Sequence, residues 1–104
     1  MEHWSKIVGY DYEISSLGRL RNMKTGTVRR PAVNDKGYFY VVLMKNYKQR
    51  NLFIHILVAK AFVPNPNGKP MVNHLDLNKQ NNAHHNLEWA TNQENCVHYW
   101  ANKP

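Results

Sequence analysis

Alternation and helical spacing divide this chain into a strand-rich first half and a mixed second half. Tyr10, Tyr12 and Ile14 alternate with Asp11 and Glu13, the period of a half-buried strand. Ser15 to Gly18 makes a turn. Arg19-Leu20-Arg21 then sets two guanidinium groups on one strand face, with Leu20 on the other. Lys24-Thr25-Gly26 is a second turn, and Thr27 to Arg30 a short strand that stops before Pro31. Gly37 to Met44, rich in aromatic and β-branched residues, carries the strongest strand signal. Lys45 to Lys48 turns it into a partner strand around Gln49 to Leu52. The first fifty residues therefore predict a small antiparallel sheet edged with Arg and Lys.

The period changes at Phe53. Ile54, Leu57, Val58, Ala61 and Phe62 follow i, i+3, i+4 spacing, which predicts a helix over Phe53 to Phe62 with Lys60 outside. Pro64-Asn65-Pro66-Asn67-Gly68 ends it in a loop. Met71 to His74 is a short strand whose partner is Leu87-Glu88-Trp89, and Thr91 with Glu94 forms a capping box opening a helix to about Trp100. There is no internal repeat and no low-complexity tract.

Composition narrows the class. At 104 residues with a 42% hydrophobic fraction, the chain is one small domain or two intimately packed halves. The net charge of +7 and pI near 9.7 favour a polyanionic partner: DNA, RNA or an anionic membrane. The longest apolar run, Tyr38 to Met44, is too short to span a bilayer. The N-terminus lacks the pattern of a signal peptide, so a cytoplasmic location is expected. Cys96 is the one cysteine, which excludes an internal disulfide and any zinc site needing several thiolates. Residues 15 to 60 hold ten Lys or Arg against the single acid Asp35, whereas residues 61 to 104 balance Lys69, Lys79 and Lys103 against Asp76, Glu88 and Glu94. The binding charge belongs to the first half and the candidate chemistry to the second.

That chemistry lies in Asn73-His74, an asparagine-rich loop, Asn86-Leu87-Glu88-Trp89, and Thr91-Asn92-Gln93-Glu94-Asn95 leading to His98. The stretch resembles the HNH nuclease motif, a ββα-metal hairpin (His-Me finger) that hydrolyses DNA phosphodiesters. Trp4 with Ile7-Val8-Gly9-Tyr10, Tyr12 to Ser15 and Gly18 to Arg21 resembles a modular DNA-binding motif at the N-terminus of phage and intron HNH homing endonucleases. His55 to Phe62, followed by Pro64-Asn65-Pro66, resembles the helix preceding the hairpin in that family. Larger members carry an additional C-terminal helical DNA-binding region beyond the span matched here.

The resemblance implies an α+β fold: a small N-terminal antiparallel sheet packed with a helix and a C-terminal ββα-metal hairpin. It divides into a basic β-rich DNA-binding module, 1–52, and a nuclease module, 53–104. It also implies a metal-dependent endonuclease that nicks double-stranded DNA as a monomer. In that reading His74 is the general base, Asn86 restrains the loop and orients His74, and Asn73 with Asn95 holds one divalent ion, Mg²⁺ or Mn²⁺. His98 lies one helical turn after Asn95 and adds a ligand or contacts phosphate, which keeps Zn²⁺ or Ni²⁺ open. Some family members have aspartate where this chain has Asn73, and a neutral amide binds Mg²⁺ more weakly than carboxylate. Two alternatives stand beside this reading: a non-catalytic DNA-binding module with a decayed hairpin, and a nucleic-acid-binding domain structured by zinc.

Among the basic residues, Arg19 and Arg21 lead as groove-reading groups, while Arg29, Arg30, Lys45, Lys48 and Arg50 suit phosphate contact. His55 is expected to be a buried hydrogen-bonding residue. His84 and His85 are expected in the loop, Asn78, Asn81 and Asn82 as turn formers, and Trp4, Phe62, Trp89 and Cys96 in packing roles.

Overall fold

Short strands joined by tight turns pair mostly with their sequence neighbours, which gathers them into three antiparallel sheets. The computed structural model describes the backbone of residues 2–102 and the side chains of residues 2–98. The first sheet holds β1 (Trp4–Lys6), β2 (Tyr12–Ser15), β3 (Leu20–Asn22) and β4 (Val28–Arg29), in that order. The second holds β5 (Ala32–Val33), β6 (Phe39–Lys45) and β7 (Lys48–Phe53). The β-rich half is thus two sheets, because the chain breaks pairing between Arg29 and Ala32, where Pro31 supplies no amide proton. β1 and β5 are too short to show a period in the sequence.

The β6–β7 hairpin closes through Asn46 and Tyr47, with φ of 53° and 62°. Two left-handed residues match the twist of the flanking strands, as in a type I′ turn. Along β6, Val41 and Leu43 face the core, while Met44 and Lys45 are exposed.

Helix α1 (Ile54–Phe62) follows β7 without a loop. It ends at Val63, whose extended backbone is what a following proline imposes; the Val63 amide donates to the Ala59 carbonyl. Ile54, Val58 and Ala59 are fully buried, and α1 packs against β2, β6 and β7 of the first half and against β8 and β9 of the second. Ile14, Leu20, Leu43, Ile54, Val58 and Leu87 belong to one hydrophobic cluster, so the two modules share a core. Each fully buried Leu, Ile or Val contributes about 1.5–3 kcal/mol relative to exposure.

The second half builds the hairpin: β8 (Met71–His74), a loop ending in a 3₁₀ turn at His84–Asn86, β9 (Leu87–Ala90) and α2 (Asn92–Asn102). Register sets His74 opposite Leu87 and Asn73 opposite Glu88. The expected capping box is present: the Glu94 amide donates to Thr91 Oγ1 (3.1 Å) and the Thr91 amide to Glu94 Oε1 (3.0 Å). Trp89 Nε1 donates to the Val63 carbonyl (3.0 Å), tying β9 to the end of α1. Among the described residues no helix is long and apolar enough to cross a membrane.

Candidate active site

The loop after β8 is held by one carboxylate. Asp76 accepts from the Asn78 amide (2.8 Å), Asn81 Nδ2 (2.8 Å) and Asn86 Nδ2 (2.9 Å). These bonds hold its pKa at about 2, the Asn81 amide being the largest influence. Asn86 completes the tie: Nδ2 also donates to the Asn81 carbonyl (2.9 Å), and Oδ1 accepts the Asp76 amide (3.1 Å). Leu77 is forced to a φ of 62° within this loop.

The network positions His74, which is buried at the end of β8. Its Nε2 lies 2.8 Å from Asn82 Oδ1. An amide oxygen only accepts, so Nε2 carries the proton and Nδ1 keeps its lone pair. Asn86 restrains the loop but makes its bonds to Asp76 and Asn81; Asn82, read as a turn former, holds His74.

Burial lowers the His74 pKa; the Asn82 bond and the charge of Asp76 oppose this, and Lys79 adds to it. His55 stacks on Tyr38 and lies 5.1 Å from His74, centroid to centroid. Contrary to the expected hydrogen-bonding role, its Nδ1 is buried without a partner. Burial, reinforced by His74, pushes its pKa down to about 4.

Asn73, His74 and Asn95 line one cavity of about 320 Å³, together with Tyr38, Lys79 and Cys96. Asn73 Nδ2 donates to Glu88 Oε1 (3.2 Å), which leaves Oδ1 as the end able to ligate. Two amide oxygens flanking an imidazole suit a divalent ion completed by water or phosphate oxygens. They do not suit a closed structural zinc site, and among the described residues no three of His, Cys, Asp and Glu converge to hold a metal. His98, one helical turn after Asn95, donates from Nε2 to the Leu75 carbonyl (3.0 Å) just past the end of β8.

The basic residues separate into two groups. Arg19 pairs with Glu2 through Nε (2.8 Å) and Nη2, and Arg21 pairs with Glu13, its cross-strand neighbour, through Nε (2.8 Å). Both guanidinium groups also lie over Trp4, at 5.6 and 3.9 Å from the ring centre. Both guanidinium groups, expected as leading groove readers, thus pair with carboxylates of the N-terminal half while remaining partly exposed. Glu2 and Trp4 were too distant in sequence from Arg19 and Arg21 to signal this. Lys45, Lys48 and Arg50 instead line a second cavity, of about 770 Å³, with Lys6 and Lys60. Arg29 is exposed beside Tyr12, and Arg30 lines a smaller cavity with Gln80 and Asn82, close to the hairpin loop.

A β-hairpin carrying a buried histidine, crossed by a helix that brings an asparagine to the same cavity, is the architecture of a ββα nuclease hairpin. Residues 2–44 match the NUMOD4 motif and residues 52–97 match the HNH endonuclease family. Residues 52–97 belong to the HNH endonuclease family, behind a NUMOD4 motif. The chain is 41% identical to the HNH endonuclease L245 of Acanthamoeba polyphaga mimivirus, over 95% of this chain and 30% of that protein. Identity to the DNA endonuclease I-HmuI of Bacillus phage SP01 is 33%, over 88% of this chain and 54% of the phage enzyme. The solved structure showing DNA binding and cleavage by the HNH homing endonuclease I-HmuI matches with a TM-score of 0.85 and 31% identity, covering 95% of this chain and 58% of that one. The chain thus spans under two thirds of each of these proteins.

Proposed function

We propose that this chain hydrolyses phosphodiester bonds in double-stranded DNA, one strand per binding event, with His74 as general base. The observation carrying this reading is the buried His74–Asn82 bond, which leaves Nδ1 as the basic nitrogen of a ring that lines the same cavity as Asn73 and Asn95. Nδ1 takes the proton from water as its oxygen attacks phosphorus, and the bond from phosphorus to the 3′-oxygen breaks. Burial keeps the imidazole neutral near neutral pH, the form a base requires.

Asn73 Oδ1 and the Asn95 amide would hold a divalent ion, Mg²⁺ or Mn²⁺, shared with the DNA phosphate. When bound, such an ion supplies charge stabilisation at the phosphoryl and leaving oxygens. Because both protein donors are neutral amides, their hold on the ion depends on the substrate's oxygens. Lys6, Lys45, Lys48, Arg50 and Lys60 form the backbone track, and Arg29 with Arg30 extends phosphate contact toward the hairpin.

A supercoiled-plasmid assay with Mg²⁺, Mn²⁺, Zn²⁺ and Ni²⁺, run beside His74→Ala, tests the reading. Open circles formed by the parent and lost in the variant support it. A parent that binds DNA but cuts with none of these ions supports the non-catalytic alternative.

A further inference from the structure

Among the described residues, Lys79 is the one formally charged residue lining the cavity of His74, Asn73 and Asn95 at neutral pH. The loop around it is rich in hydrogen-bonding partners, yet among the described residues no carboxylate pairs with it. The nearest acid in sequence, Asp76, is occupied by Asn78, Asn81 and Asn86.

The ammonium is held from the opposite side. Nζ donates to the Lys36 carbonyl (3.0 Å) and lies 4.9 Å from the centre of the Tyr38 ring. The carbonyl belongs to a braced turn in which Asn34 Oδ1 accepts the Lys36 (3.0 Å) and Tyr38 (2.9 Å) amides. Gly37, at a φ of +89°, supplies the left-handed residue of this turn and lies alongside the Lys79 stem. The position is therefore fixed by a segment of the first half, 43 residues away. An ammonium has three donors, and the carbonyl uses one.

We infer that Lys79 is a catalytic residue that donates to a non-bridging oxygen of the scissile phosphate, an inference resting on the reading of His74 as the base. With neutral amides as the metal donors, the protein's own positive charge at the reacting phosphate comes from this ammonium. As water attacks, negative charge accumulates on the phosphoryl oxygens, and a pre-placed cation stabilises it without having to reorganise. The same placement makes Lys79 a contact that strengthens in the transition state, rather than one that mainly adds DNA affinity.

The test is single-turnover nicking at saturating DNA by the parent, Lys79→Met and Lys79→Arg, with DNA affinity measured separately in the absence of divalent metal. Lys79→Met should lose about 10²–10³-fold in rate while binding DNA nearly as well as the parent. Lys79→Arg should regain most of the loss, and both variants should melt with the parent, since the side chain is exposed. The inference is overturned if Lys79→Met nicks at the parent's rate. It is equally overturned if Met and Arg variants lose rate together with melting temperature, which would make Lys79 only a strut for the Lys36 turn. A parent that does not nick overturns the reading of His74 and this inference with it; a nicking parent with an unaffected Lys79→Met overturns this inference alone.

Discussion

His74 Nε2 and Asn82 Oδ1 form a buried hydrogen bond of 2.8 Å, and Asn82 lines a cavity with Gly18 of the first half. Replacing Asn82 by Leu removes the acceptor at similar volume. Cleavage should fall by about 10–100-fold, the usual scale for a partner that orients a reacting group, with DNA affinity retained. Asn82→Asp puts a carboxylate beside the imidazolium and stabilises it, so the basic form of His74 should emerge at higher pH. In the parent, burial lowers the His74 pKa, so the limb should lie below the ordinary 6.5. Measuring single-turnover rate against pH for parent and Asn82→Asp checks the sign; coincident profiles would count against the bond's role.

Gly18 links the modules at this same point. It has a φ of +89°, and a Cβ would stand 3.0 Å from Asn82 Cβ. The neighbouring Ser16 carbonyl accepts the His84 amide at 2.7 Å, so the turn is already docked on the loop. Gly18→Ala should therefore cost about 1–2 kcal/mol for the left-handed backbone alone and lower cleavage by displacing Asn82. Denaturant melts beside nicking assays decide this; a variant as stable and active as the parent would show that the loop tolerates the displacement.

A third expectation concerns acid. His55 has a folded pKa of about 4 against an ordinary value of 6.5. Between those values the unfolded chain binds the proton more readily, so stability is full above about pH 6.5 and falls as pH drops toward 4. The total effect is at most roughly 3 kcal/mol. His74 is shifted the same way, whereas Asp76, moved from 3.8 to about 2, loses its contribution only in stronger acid. His55→Leu also removes the unpartnered Nδ1 and should flatten the pH dependence of the melting temperature over this window. A slope equal to the parent's would place the titrating group elsewhere.

DNA affinity should fall with salt, by about 0.9 log units per log unit of salt for each neutralised phosphate. Replacing Lys45, Lys48 and Arg50 with Ala should flatten the slope by up to about three such contacts. Arg19→Ala and Arg21→Ala should alter it much less and destabilise the first sheet instead, because their carboxylate partners are Glu2 and Glu13. Binding titrations at several salt concentrations separate the groups.

What could be read from the sequence was local. The Thr91–Glu94 box, the helical spacing after Phe53 and the β-branched run before Met44 each contain their own structural reason within a few residues. His74, Asn73 and Asn95 were legible as a set because strand end and helix start are fixed by those local rules. The choice between Asn82 and Asn86 was not, since both sit in a loop whose path depends on Asp76 and on Gly18 from the other module. The pairing of Arg19 with Glu2 was hidden for the same reason: β1 gives no periodic signal, and only its place beside β2 brings that acid near. The placement of Lys79 was not legible because its ammonium is held by the carbonyl of Lys36, a backbone group that no motif records.

The most direct test of the account is a plasmid time course with Mg²⁺ or Mn²⁺ using the parent and His74→Ala. One hairpin with one basic Nδ1 attacks one strand per encounter, so open circles should appear first and linear DNA late. His74→Ala should lose about 10²–10⁴-fold in rate with DNA affinity nearly unchanged. Nicking by His74→Ala at the parent's rate would contradict the assignment of the base. Linear DNA formed directly, with no open-circle intermediate, would contradict the single-site action and require two copies across the duplex.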